Sequence, residues 1–428
     1  MLAAAGLATM GFNQIGIAFL PLSDLVFFVL AAVIWLLMLT STDRSLTPRG
    51  ARGASPRILI ASVVMVTMAV MAGFNAIDPG ISLQIVLRVA YLTLLWFWML
   101  RCVAVDRRAV SVLMAAWRTA VIVSCAGAVA ANAGLVDLGV ANSENRQSAW
   151  FGHPNDLAGF LAMAVPVFLV AAPRDRTGRG RARRLRWAGL LGLVVFAIAT
   201  TGSISSLLAA VTGSAAAGLG LTLTGAPVPG ARRVHPITVM VGAVVALAAL
   251  GLLARSDAPV FERLTRFGSG NSGVNSSVDD RTHLNEEVVA SLDDVLVVGH
   301  GMDVARGDSV STGDVHNMYL KLVFEIGVVG AAALLYLLGV TLTQAWRLMR
   351  STRGSPLHAT VVALFGSVVA ALTFAFFQPI NTQRYFWLPL AMVQALWTLR
   401  RRELAEAARA SRPAAPDPVM GWSIERRW

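Results

Sequence analysis

The chain has 428 residues, of which 56% are hydrophobic and 14% charged, about half the charged share of soluble domains. With a mean hydropathy of +0.64, this excludes an ordinary soluble enzyme, a disordered chain and a disulfide scaffold. The net charge of +12 invites a nucleic-acid reading, but the arginines lie between apolar segments rather than on one soluble face, so no nucleic-acid partner is expected.

A membrane-spanning helix needs roughly 20 mostly apolar residues. Twelve stretches read as spans: 3–20, 22–40, 57–75, 81–100, 119–135, 155–172, 187–202, 204–224, 236–254, 327–346, 359–377 and 385–399. The predicted fold is thus an all-α integral membrane protein. Asn13, Gln14 and Pro21 interrupt the first stretch, which also admits a re-entrant reading, and the stretch at 187–202 is short. Cys102 and Cys125 fall inside apolar runs, so no external disulfide is implied. No cleavable signal peptide is read at the N-terminus.

Short cytoplasmic loops carry the excess of arginine. Arg44 to Arg57, the group Arg101, Arg107, Arg108 and Arg118, the cluster Arg174 to Arg186, the pair Arg232 and Arg233, Arg347 to Arg353, and the tail from Arg400 alternate with the spans. With twelve spans they share one side with both termini, which predicts a multi-pass protein of the cytoplasmic membrane and sets the positive charge against anionic lipid. The division is a polytopic membrane domain over 1–399, with an external loop at 255–316, and a basic cytoplasmic tail over 400–428.

Chemistry is sought on the external side. The first external loop runs from Asn142 to Ala158 and holds Arg146, Gly152, His153, Pro154 and Asn155. Asn155 reads as the N-cap of the sixth span, with the free N–H groups of that helix start beside Arg146. This makes either an anion cradle or a plain capped helix with Arg146 and Trp150 at the interface. In the large loop, Leu284, Val288, Leu292 and Val295 recur at helical spacing, predicting an amphipathic helix in the interface plane. Asp279 or Asp280 caps it, which puts Arg281 in its first turn, where arginine opposes the helix dipole. A bound anion or a salt bridge to a neighbouring acid accounts for that choice. Gly299-His300-Gly301 stops this helix, and Asp314 reads as the N-cap of the next, which places His316 at an external mouth and carries on through Lys321 and Glu325 to Gly327.

Two more arginines stand out. Arg88 lies within the fourth span, where a charge is expensive and suggests function, with snorkelling to the surface as the alternative. Arg384 sits in the turn between the last two spans, either functional or an interfacial anchor with Tyr385 and Trp387. Walker A, paired-cysteine and HExxH motifs are absent from the sequence, and no metal or cofactor is expected.

These residues resemble those of the O-antigen ligase/O-antigen polymerase superfamily. Arg146 followed by Phe151-Gly152-His153-Pro154-Asn155-Asp156-Leu157-Ala158 is similar to its first signature, and Asp280-Arg281 with Gly299-His300-Gly301 to its second. His316-Asn317-Met318-Tyr319-Leu320, continuing to Glu325-Ile326-Gly327, is similar to its third, the most specific. Order, spacing and topology match from about residue 22 to 399. Thr201-Gly202-Ser203 lacks the arginine the family often has there, and Leu296-Val297-Val298 precedes Gly299 without the usual proline.

The resemblance implies a C-type membrane glycosyltransferase that works without a metal or cofactor. Such enzymes take a glycan from a polyprenyl diphosphate carrier at the outer face of the membrane and pass it to a lipid or other envelope acceptor, or, in polymerases, to another carrier-linked repeat. It implies that Arg146 and Arg281 hold the diphosphate and His316 acts at the acceptor hydroxyl. Arg88, Arg384, Asn155 and Asn317 complete the candidate substrate-binding set. A transporter or flippase of lipid-linked glycan and a non-catalytic assembly scaffold are the rival readings. Convergence of Arg146, Arg281 and His316 on one external cavity discriminates among them.

Overall fold

The computed structural model describes residues 1–11, 16–17, 20–40, 55–136, 146–170, 179–224, 282–302 and 315–411. Apart from a two-residue antiparallel ladder (β1, Gly16–Ile17; β2, Leu20–Pro21), the regular elements among these residues are helical. In chain order they are α1 (Leu2–Ala8), α2 (Leu22–Thr40), α3 (Pro56–Ala72), α4 (Pro79–Val103, with a π turn over Tyr91–Trp96), α5 (Arg107–Asn132), α6 (Pro154–Val170), α7 (Arg179–Thr200) and α8 (Ile204–Thr224). Then come α9 (282–290), α10 (Leu292–Val295), α11 (Met318–Ser351), α12 (His358–Ala375) and α13 (Arg384–Ala410).

Local chemistry sets the starts. Pro56 and Pro79 occupy first-turn positions where no intrahelical N–H is needed. Asp78 accepts from the N–H groups of Gly80 and Ile81, and Asp106 from that of Ala109, each capping its helix. Six of these helices are long and apolar enough to cross a membrane, and Ser23–Leu36, Pro154–Val170 and Leu185–Thr200 are shorter apolar helices. The chain is therefore an α-helical protein with the architecture of a multi-pass membrane protein.

Ten of the twelve predicted spans coincide with a helix. The stretch 3–20 does not: α1 gives way to a 3₁₀ turn at Thr9–Gly11 and then to the ladder, so it forms no continuous spanning helix. The stretch 236–254 lies outside the described residues, as do Arg281 and most of the 255–316 loop. The predicted span 119–135 is longer in fact. Its 26 residues reach back to Arg107, about 39 Å of helix against roughly 30 Å of hydrocarbon. Arg107, Arg108 and Arg118 are therefore helical rather than loop residues, and Arg118 lies over the Trp187 ring at 5.6 Å.

The core is membrane-like in its use of small residues. The sixth predicted span, α6, is buried on nearly every face between α8 and α12. Helices α8 and α12 cross so closely that a Cβ on Gly213 would lie 2.7 Å from the Gly366 carbonyl, and one on Gly366 2.6 Å from the Gly213 carbonyl.

Hydrogen bonds between helix ends sort those ends into two groups. In the first, Asp24 meets Arg384, Asp156 meets Tyr385, Gln147 meets Thr200, and Asn75 meets Gly299. In the second, Arg107 meets Glu403, Arg400 meets the Ser351 carbonyl, Arg353 meets the Leu223 carbonyl, and Thr224 meets His358. The first group carries the candidate site. The second carries much of the described arginine.

The amphipathic stretch packs part of its apolar face on protein, with Val288 clustered with Val315 and Phe324 and with Leu292, Val295 and Leu320 against them. The start of α11 supplies an apolar partner at the same spacing, so that part of the stripe is satisfied within the chain.

Candidate functional site

Arg146 is held by the turn between α7 and α8 and by the start of α6. Its Nε donates to the Thr201 carbonyl at 2.7 Å and one terminal nitrogen to Asn155 Oδ1 at 2.6 Å. The neighbouring Gln147 N–H donates to the Thr200 carbonyl at 3.1 Å. Arg146 is 6% exposed, so it is a buried strut and not an interfacial side chain. The ring of the half-buried Trp150 fills the space beside Gly127 of α5, where a Cβ would lie 2.4 Å from it.

Asn155 is not the N-cap. Helix α6 begins at Pro154, and the His153 carbonyl accepts from the N–H groups of Asp156 and Leu157. His153 Nδ1 accepts from the Asn155 N–H at 3.1 Å, which requires the ring proton on Nε2. The Asn155 side chain is thereby released to hold Arg146. Asp156, one residue on and about 100° around the helix, accepts from the Tyr385 hydroxyl at 2.8 Å.

Tyr385 leads to a second buried arginine. Arg384, 3% exposed, engages both carboxylate oxygens of Asp24 through Nε and a terminal nitrogen. Arg384, Tyr385 and Trp387 are all buried, which overturns the reading of this turn as an interfacial anchor. Arg88 is exposed yet lies within electrostatic reach of Arg384, Asp24, Asp156 and Tyr385, so it faces this polar group. Sequence reasoning missed Asp24. Its signal was there: it is the lone acid within the first 40 residues, at the start of an apolar run.

The second half of the site surrounds the start of α11. Asn317, not Asp314, is the N-cap. Its Oδ1 accepts from the N–H groups of Tyr319 and Leu320 at 3.0 and 3.2 Å, and Asp314 lies outside the described residues. His316 is half-buried, between the buried Val315 and this cap. Ten residues on, α11 is interrupted at Gly327, with φ 71° and ψ 172°. The segment after α10 lies against the interruption as a short stretch of paired backbone. His300 N–H donates to the Phe324 carbonyl, Gly301 N–H to Glu325 and Val328 N–H to Leu296, at 2.9, 3.0 and 2.7 Å.

The glycines are required there. A Cβ on Gly299 would lie 2.4 Å from the Glu325 carbonyl oxygen, and one on Gly327 2.2 Å from the Val297 carbonyl oxygen. Gly299, Gly301 and Gly327 all have positive φ. The His300 ring stacks on Phe324, Asn75 donates to the Gly299 carbonyl, and the Met302 N–H donates to Ser82 Oγ. The second and third signatures of the sequence are thus one physical unit.

The two halves meet through the turn between α12 and α13. The Tyr319 hydroxyl donates to the Leu372 carbonyl and its ring lies against Phe376, at one end of a turn whose other end is Arg384. Among the described residues, no three His, Cys, Asp or Glu side chains gather as metal ligands do. Comparison with family models gives no match to this chain, and comparison with curated proteins gives none either. The class that the fold and site define is a multi-pass α-helical membrane protein with a buried, arginine-centred polar assembly at one end.

Proposed function

We propose that this chain is an O-antigen ligase-like glycosyltransferase of the cytoplasmic membrane, with twelve spans, both termini cytoplasmic and the site on the outer face. It transfers a glycan from a polyprenyl diphosphate carrier to an envelope acceptor. The observation that carries the reading is the glycine crossing, which joins the Gly299-His300-Gly301 stretch to the helix start bearing His316, at the same end as Arg146.

In the proposed reaction the bond from the anomeric carbon to the diphosphate oxygen breaks, and the electron pair leaves with polyprenyl diphosphate. Arg281 neutralises that leaving group by forked hydrogen bonds, and Arg146, whose Nε and one terminal nitrogen are held by Thr201 and Asn155, adds its positive charge from a fixed place. The acceptor hydroxyl forms the new bond from the opposite face and gives its proton to His316, so the configuration inverts. Asn155 fixes the Arg146 plane, Asn317 fixes the turn that carries His316, and Arg88 adds positive charge beside the neutral Arg384–Asp24 pair, which holds that end in shape.

The test is a reconstituted membrane assay with polyprenyl-diphosphate-linked glycan. Release of polyprenyl diphosphate together with a single glycan addition supports a ligase, and a ladder of repeats supports a polymerase of the same superfamily. Movement of intact carrier across the bilayer with no release sinks the glycosyltransferase reading in favour of a flippase.

A further inference from the structure

The opposite end of the molecule carries a cleft of about 500 Å³ that the proposed reaction does not use. One wall is a stripe of α11 at helical spacing: Tyr336, Val340, Gln344 and Arg347. Trp397 and Arg401 of α13 form another, and the start of α3 at Ser55 to Arg57 forms the third. From Tyr336 to Arg347 the helix advances about 16 Å, enough to run from headgroup level well into the hydrocarbon. Tyr336 and its neighbour Leu335 are 51% and 53% exposed, which marks this flank as the one that acyl chains meet.

Four features agree on an occupant. Arg57, Arg347 and Arg401 are exposed at the rim, and among the described residues none of them is in an ion pair. Ser55 sits at the N-cap of α3 without a side-chain hydrogen bond, so the partial positive charge of that 17-residue helix start adds to the arginines. Gln344 is 7% exposed, and its Oε1 has no hydrogen-bond partner although the residue lines the cleft. Finally, Gly339 lines the cleft, and a Cβ there would meet nothing within 4 Å, so the space is open for want of a side chain.

We propose that this cleft binds one anionic glycerophospholipid from the leaflet at the arginine-rich end. The three guanidinium groups and the α3 start take the phosphodiester. Gln344 lies about one turn deeper than Arg347, at the level of the ester carbonyls, and with its amide turned over donates an N–H to them. The acyl chains run past Gly339 and Val340 towards Tyr336. A soluble phosphate would satisfy the arginines but leave the apolar depth of the cleft and Gln344 unused.

Native mass spectrometry of the full chain, extracted from bilayers of mixed phosphatidylglycerol and phosphatidylcholine, tests this. One phosphatidylglycerol should remain bound per chain, with a preference of about tenfold over phosphatidylcholine, and millimolar inorganic phosphate should not displace it. Gly339→Leu starts from a Cβ that would meet nothing within 4 Å, so it extends into the cleft space, and it improves helix propensity. It should abolish retention without lowering the melting temperature. Arg347→Gln with Arg401→Gln should weaken retention about tenfold or more, and decides the matter if the leucine variant proves unstable. Equal retention of both lipids, undiminished retention in folded Gly339→Leu, or displacement by inorganic phosphate would each overturn the proposal. The last would mean a site for soluble anions.

Discussion

The two ends of this molecule hold arginine in opposite ways. At the end with the candidate site, Arg146 and Arg384 are 6% and 3% exposed, fixed by a carbonyl, an amide and a bidentate carboxylate. At the other end, Arg57, Arg347 and Arg401 stand open, and the Arg107 side chain in its pair with Glu403 is 48% exposed. The same residue type therefore does two jobs. A desolvated guanidinium must have its partners supplied by the fold, so it fixes geometry. An open one is screened and mobile, so it suits a headgroup surface. A count of arginines cannot tell these apart; their partners can.

The sharpest way to break this comparison is to remove one partner of the buried pair. Asp24→Asn leaves Arg384 buried without its carboxylate, and unfolding in detergent should show a loss of about 3–5 kcal/mol. Replacing both together, Asp24→Leu with Arg384→Met, should cost less than the single change. A loss for Asp24→Asn as small as that of a surface pair would mean that the first end is not held by this contact.

Two glycines of α11 should then respond with opposite sign. Gly327→Ala meets a carbonyl at 2.2 Å and forces an alanine to positive φ, at a cost of at least about 1–3 kcal/mol. It should also expose the Val328 N–H to hydrogen exchange. Gly339→Ala, in open space, should stabilise by about 0.4–1 kcal/mol. Equal effects would remove the argument that the crossing needs its glycines.

Activity probes the first end further. Arg281→Lys keeps the charge but loses the fork, and transfer should fall by about 1.5–3 kcal/mol in barrier height. His316→Ala should impair transfer while carrier binding persists. Equal loss of carrier binding in both variants would point to a collapsed loop instead.

The smallest effect belongs to the second end. Hydrogen bonds from Arg107, then from Arg400, hold the Glu403 carboxyl below the ordinary glutamate range. Because the folded value is depressed, its stabilising contribution is complete above the ordinary glutamate pKa and fades as pH falls through the folded value. Glu403→Gln should shift the melting temperature only slightly, less so in high salt, and should flatten that acidic dependence. A large, salt-independent shift would make this pair a buried one in effect.

Much of the helical body was legible in the sequence, because an apolar run about 20 residues long has one stable form in a bilayer. Ten predicted spans coincide with helices for that reason. The boundaries were less legible. Helix α5 starts 12 residues before its apolar run because Asp106 caps it, and arginine is a good helix former outside the hydrocarbon. The N-caps at Asn155 and Asp314 were misread for a related reason. Several capping residue types stood in a row, and backbone geometry, which composition does not carry, selected His153 and Asn317.

Composition and periodicity alone determined that this is a helical, membrane-type chain; together with the family resemblance, the sequence singled out Arg88, Arg146, Arg281, His316 and Arg384 as candidates. Only the tertiary structure decided how the described members of that set are held. Asp24 and Arg384 are 360 positions apart, and Asp156 and Tyr385 are 229 apart. No local rule pairs residues so distant, because a charge within a span signals that a partner is needed without naming it. The amphipathic face at Val288, Leu292 and Val295 is a further case: its periodicity requires an apolar partner but cannot say whether lipid or protein supplies it. Here Val315 and Phe324 do, because the glycine crossing brings the start of α11 within reach.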